Sequence, residues 1–307
     1  MHHPNGCQVT PAYKDGVLYA TCFGTLYAFD ALMKGGDDGI KDTCENGDRY
    51  DVLWTAALAA KTNQSPPLFV NDAVVLNTAE GLEFYPTRIK DFAKVERTKI
   101  VKTGGSDGGG AAHNGEILVA ASKTGHVGID IKTDKELWRA ESGSGSTPVI
   151  DGASVFFRDG RGALFCLDLK TGRQLWTSDG PYSDPPAAPA VAGGVVYMAG
   201  NKPGTMNALD AKNGEKIWTW AVPDKTKNVT SEDYASAIYS TPMIADGKVF
   251  FTSYTGFLYC LRTEKSPKER LAWKEKISEQ VCMTVPMAYE GAVYVRGERT
   301  TFKFAGK

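Results

Sequence analysis

The chain repeats itself about every 42 residues, and no other feature limits its possible folds so tightly. One copy reads Thr147-Pro148-Val149-Ile150-Asp151-Gly152, Val155-Phe156-Phe157, Gly162-Ala163-Leu164-Phe165-Cys166-Leu167-Asp168, Lys170-Thr171-Gly172 and Leu175-Trp176. The next reads Ala188-Pro189-Ala190-Val191, Gly194-Val195-Val196-Tyr197, Met206-Asn207-Ala208-Leu209-Asp210, Lys212-Asn213-Gly214 and Ile217-Trp218. Trp176 lies 42 residues before Trp218 and 38 after Trp138, while Trp54 and Trp138 are 84 apart. That last interval leaves room for one copy without its tryptophan, around Pro67-Leu68-Phe69-Val70 and Gly81-Leu82-Glu83-Phe84. Further copies begin at Pro11, Pro242 and Pro286, making seven.

Within each copy, short runs rich in Val, Tyr and Phe alternate apolar and polar residues between Asp-Gly or Thr-Gly pairs. These are strand and turn signals with almost no helical period. Four strands per unit at this period predict an all-β chain: a single β-propeller domain over residues 1–307 with about seven four-stranded blades. The recurrent tryptophans, Trp54, Trp138, Trp176 and Trp218, are expected to be buried between blades, each ring docked on the next blade with its N–H on a carbonyl. The seventh copy stops near Phe304. Its blade is therefore expected to have three strands and an unpaired edge at Thr300–Phe304, open to strand addition by another chain.

The pattern Ala/Leu-x-Asp-x-Lys-Thr-Gly-x-x-x-Trp resembles the pyrroloquinoline-quinone (PQQ) repeat of quinoprotein dehydrogenases and of BamB-type outer-membrane assembly lipoproteins. The resemblance covers nearly the whole chain. Members of both groups have eight blades, so seven copies depart from the pattern. The resemblance implies a non-catalytic binding or scaffold propeller, periplasmic or otherwise extracytoplasmic. The alternative it admits is a PQQ-dependent alcohol or polyvinyl-alcohol dehydrogenase, or a fragment of one, which would need PQQ, Ca²⁺ and an aspartate base. A third reading is the sensor portion of a larger signalling protein. The vicinal Cys-Cys pair of many quinoprotein alcohol dehydrogenases is absent, as is a haem Cys-x-x-Cys-His.

In a four-stranded blade, the loops joining strand 4 to the next strand 1 share a face with those joining strands 2 and 3. The longer excursions, Thr103–Gly110, Ser178–Pro186 and Val222–Tyr239, fall on that face. Long loops on a rigid scaffold are where binding residues concentrate. A protein or peptide partner is accordingly expected there, with Asp107, Tyr182, Asp184, Glu232, Asp233, Tyr234 and Tyr239 as candidates. The opposite face carries short turns and one acidic insertion, Lys34–Asp51, whose spacing misses the Asp-x-Asp-x-Asp-Gly calcium loop. The four histidines show no metal-ligand spacing, and His113 reads as a packed strand residue. No metal and no catalytic residue is assigned.

Of six cysteines, Cys166 and Cys260 share the slot of Ala28 and Ala208 and read as small core residues. Cys7 and Cys282 each stand four residues before a repeat proline. They are placed to pair as a disulfide or to remain two free thiols. Cys22 and Cys44 belong to the first copy, where Cys44 is placed to tether the insertion. Lys+Arg 35 against Asp+Glu 36 removes the overall electrostatic case for nucleic acid or an anionic membrane. No apolar run approaches a membrane span. Met1–Gly6 has no apolar segment of the kind a signal peptide carries, so a leader is expected to have been removed or to lie upstream.

Overall fold

The computed structural model describes residues 10–22, 24–31, 52–59, 65–87, 95–106, 108–143, 145–159, 161–183, 187–227, 231–264, 266, 269–280, 282–297 and 300–305. Their strands form seven antiparallel sheets, six of four strands and one of three, each in sequence order. The fold is an all-β, seven-bladed propeller with one incomplete blade, as the repeat predicts. The chain divides into two compact units, Met1–Thr147 with blades 1–3 and Pro148–Lys307 with blades 4–7.

Blade 4 shows how a copy folds. Val149–Asp151, Ser154–Arg158, Leu164–Asp168 and Gln174–Ser178 form a meander. The turn before the fourth strand is fixed by Asp168, whose Oδ1 accepts from the Thr171 N–H at 2.8 Å and from Thr171 Oγ1 at 2.8 Å. Asp130 holds Thr133 in the same way in blade 3. These bonds hold both carboxyls below the ordinary aspartate range.

Strand 4 then pairs with strand 3 so that each tryptophan lies opposite a small residue: Ala28 with Trp54, Gly128 with Trp138, Cys166 with Trp176, Ala208 with Trp218. In all four the register shifts immediately after that pair. Blade 6 adds a fifth case, Cys260 opposite Trp273 with the same shift. A small partner leaves room for an indole to lie back over the sheet. A β-carbon on Gly128 would run into the ring of Trp138.

The core is divided into seams between consecutive blades. Tyr19, Leu26 and Trp54 of blade 1 meet Val74, Leu76 and Tyr85 of blade 2. In the second unit, Tyr197, Met206 and Ala208 of blade 5 meet Val249, Phe251 and Tyr259 of blade 6. Trp54 and Trp138 are buried, at 2% and 7% exposure. Trp176 and Trp218 are only half-buried, less than the large burial expected of all four. The Trp176 ring rests on Gly214, which has no side chain to cover it, while its Nε1 donates to Ala211 O at 3.2 Å. Trp218 is covered on one side by the Arg270 guanidinium, 4.1 Å from its ring.

Cys166 and Cys260 are buried, as their small-residue slots require, and burial pushes both thiols up to about 11. Cys22 is disulfide-bonded. Cys282 is a free thiol, so the Cys7–Cys282 bridge is not formed. Its sulfur is taken up inside blade 7, 3.3 Å from Thr284 Oγ1 and within the apolar seam to blade 6. Cys7, Cys44 and the Lys34–Asp51 insertion lie outside the described residues.

Candidate interaction face

In the second unit, two excursions are fastened to the blades by buried polar groups. Arg158, fully buried at the end of the second strand of blade 4, donates from Nη2 to Pro181 O at 2.5 Å and from Nη1 to Ala199 O at 2.6 Å. Burial lowers its guanidinium to about 10. Two carbonyls are thereby satisfied, and Tyr182 is set beside blade 5, its carbonyl accepting from Asn201 N at 3.0 Å.

The second excursion leaves blade 5 after Ala221. Asp224 pins its start, 2.6 Å from Lys274 Nζ, and accepts from the Tyr259 hydroxyl at 2.9 Å. Burial is the main cause holding that phenol well above its ordinary range, and Asp224 adds to it. The chain next makes a short 3-10 turn, Glu232–Tyr234, capped by the Ser231 hydroxyl. It returns by bonds from Ile238 N to Gly200 O at 3.2 Å and from Tyr254 N to Ala237 O at 2.9 Å.

These anchors bring three of the expected residues together. Lys202, in the turn between strands 2 and 3 of blade 5, places Nζ 2.9 Å from Asp233 Oδ2 and 5.7 Å from the centre of the Tyr234 ring. Its ammonium is raised above the ordinary lysine range, first by the Asp233 hydrogen bond, with Tyr234 and Tyr182 adding smaller attractions. Tyr182 is 38% exposed and Asp233 55%. Glu232 is on the same turn and exposed. Tyr239 packs against Tyr254, ring centres 4.7 Å apart and tilted by 31°. Asp107 and Asp184 lie outside the described residues.

Lys202 and Tyr254 are additions to the expected set. Both sit in turns between strands 2 and 3, on the face already singled out, but short turns carry no length signal. Half-exposed tyrosines around a paired cation have the composition of a protein-docking surface, where aromatic residues bury large area at low entropic cost.

Among the described residues no three His, Cys, Asp or Glu side chains converge as metal ligands. The acids that are central to the structure are already committed. Asp224 is bound to Lys274 and Tyr259, and Asp233 to Lys202. Glu83, wholly buried in blade 2, accepts from Tyr85 at 2.6 Å and Thr78 at 2.8 Å. His126 is likewise structural, buried with Nε2 2.9 Å from Ser146 O, and His113 Nε2 lies 2.6 Å from Phe69 O.

The family model for the outer-membrane protein assembly factor BamB matches residues 53–303. The chain belongs to the BamB family. The BamB of Burkholderia pseudomallei is 26% identical over 236 residues, covering 74% of this chain and 60% of that protein. The chain spans about half the length of the curated BamB relatives it matches. The crystal structure of BamB from Moraxella catarrhalis superimposes with a TM-score of 0.67 at 16% identity, covering 94% of this chain and 79% of that one. A europium-containing methanol dehydrogenase superimposes at 0.66 with 12% identity, covering 93% and 72%. The dehydrogenase and BamB thus share the blade architecture.

Proposed function

We propose that this chain is a non-catalytic scaffold propeller that works outside the cytoplasm in outer-membrane protein assembly. It docks a protein partner on the face carrying Tyr182, Lys202, Asp233 and Tyr234. Membership of the BamB family carries the first part, and the Lys202 cluster carries the second. The cluster suits recognition because its cation and carboxylate neutralise each other while the rings remain available. A partner then buries aromatic area without stranding a charge. PQQ and Ca²⁺ take no part in this reading, in which Asp224, Asp233 and Glu83 serve structural pairs.

Photo-crosslinking in the native cell tests this reading. A crosslinking residue in place of Tyr234 is expected to give a discrete protein adduct. The same residue in place of Lys170, on the opposite face, is expected to give none. Equal adducts from both positions would overturn the assignment.

A further inference from the structure

Between blades 2 and 3 lies a cavity of about 250 Å³, walled chiefly by Leu82, Phe84, Leu118, Ile129 and Ile131. We propose that it binds a small planar aromatic molecule of the indole class, whose ring N–H donates to the Ile131 carbonyl. All of these residues belong to the first unit, so the site stands or falls separately from the Lys202 face.

What fills this position in another seam points to the ligand. Between blades 4 and 5 the residues at the same register are Leu164, Cys166, Val196, Leu209 and Ala211, and they pack with Trp176. That seam holds two rings, Phe156 and Trp176, with centres 5.9 Å apart. In blade 2, Val75 stands at the place of Phe156 and Lys99 at that of Trp176, so only Phe84 supplies a ring. One ring is lost from the seam while its apolar walls are kept. Leu82, Leu118 and Ile129 are each 3% exposed or less.

The polar contact is kept as well. Trp176 Nε1 donates to Ala211 O at 3.2 Å. Ile131 stands where Ala211 does, and its N–H donates to Glu116 O at 2.9 Å just as that of Ala211 donates to Gly194 O at 2.9 Å. The Ile131 carbonyl is thereby set beside the cavity as the Ala211 carbonyl is set beside the Trp176 ring. A ring carrying an N–H meets both the walls and this acceptor, which a plain hydrocarbon ring does not.

Size and entrance favour a free molecule. The volume falls below the roughly 300–1,000 Å³ of sites for drug-sized ligands and suits a single fused ring system. Apolar cavities lined by aliphatic and aromatic side chains take up such rings because the ring supplies the contacts that the walls lack. Lys99 and Asp134 also line the cavity, and their ion pair, 40% and 39% exposed, joins the two blades at its mouth. A pair this exposed is weak enough to part and re-form. A tryptophan on another chain would have to bring its backbone up to that pair, whereas a free ring passes it. The connection before the fourth strand of blade 2 is held at both ends by blade 1, away from the cavity. Thr87 O accepts from the Tyr19 hydroxyl at 3.1 Å, and Val95 N donates to Thr55 O at 2.8 Å.

The test uses the full chain with isotope-labelled leucine and isoleucine methyl groups. Titration with free indole should shift the methyl resonances of Leu118 and Ile129 and give ring-to-methyl nuclear Overhauser contacts at both. Indene, which has the same shape without the N–H, should bind about three- to tenfold more weakly, as one lost hydrogen bond requires. Phe84→Ala/Lys99→Trp/Asp134→Gly, which puts an indole of the chain's own in the cavity, should lose binding while keeping a cooperative thermal transition. No contacts at Leu118 and Ile129, or indene binding as tightly as indole, would overturn the proposal. So would undiminished binding by the folded triple variant. A tryptophan-containing peptide that makes these contacts where free indole does not would also overturn it, giving the cavity to a protein side chain. Should the triple variant fail to fold, the contacts in the wild-type chain decide alone.

Discussion

Lys99 Nζ lies 2.6 Å from Asp134 Oδ1, and the two residues occupy the places that Trp176 and Gly214 hold in the corresponding pair of blades. Gly214 has φ +75 and Asp134 φ +57, so the backbone of the turn is kept while its side chain changes. Opposite Lys99 stands Phe84 in place of the usual small residue, with the ammonium 4.3 Å from its ring. The aromatic group has moved from strand 4 to strand 3, and the ring-on-glycine contact has become an ion pair.

This exchange predicts a coupled mutant series. Phe84→Ala should destabilise by about 3–4 kcal/mol, as expected for truncating a buried ring. Lys99→Ala, which breaks only a partly exposed pair, should cost about 1 kcal/mol or less. Combining Phe84→Ala with Lys99→Trp and Asp134→Gly restores the arrangement of the other blades and should recover most of the first loss. Urea midpoints that fall additively across the three sites would contradict the exchange.

The tryptophans should rank by burial. Trp54→Ala is expected to cost about 3–5 kcal/mol. Trp176→Ala should cost distinctly less, because its ring is half-buried and bears on a glycine. Equal shifts in denaturant midpoint would show that exposure does not control their contribution.

Gly128→Ala should destabilise by about 1–3 kcal/mol or more through overpacking, since a β-carbon there meets the Trp138 ring. Adding Trp138→Leu should relieve part of that cost. A neutral Gly128→Ala would mean the ring is free to move aside.

His126 gives the fold a dependence on acid. Burial lowers its ring to about 4 from an unfolded value of 6.5, with the Ser146 carbonyl opposing the shift. The unfolded chain therefore binds the proton first. The stabilisation from a neutral His126 is complete above about pH 6.5 and is lost as pH falls toward 4, roughly 3 kcal/mol over the window. His126→Gln should flatten the unfolding free energy between those limits. An unchanged slope would place the titration elsewhere.

The sequence alone was enough to count the blades and to place four of the repeat tryptophans, because packing positions recur at fixed spacing. Trp273 escaped because the excursion from blade 5 to blade 6 and the turn before it are both longer, which together put it 55 residues after Trp218. The half-burial of Trp176 depends on a glycine in the next blade, a relation between copies that periodicity within a copy does not contain. The same holds for the interaction face. Loop length pointed to Tyr182, Asp233 and Tyr234, but Lys202, which joins them, sits in a two-residue turn and is brought near only by the meander of blade 5. The Cys7–Cys282 pairing failed because equivalent sequence positions do not decide which way a sulfur points, and that of Cys282 turns into its own blade.

Cells from which the gene for this chain has been deleted test the docking role of the loop face. Outer-membrane protein levels should fall there and be restored by the wild-type chain. A variant with Tyr182→Ala, Lys202→Glu and Tyr234→Ala, present as folded protein in equal amount, should fail to restore them. Unchanged levels on deletion, or full rescue by that variant, would contradict that role.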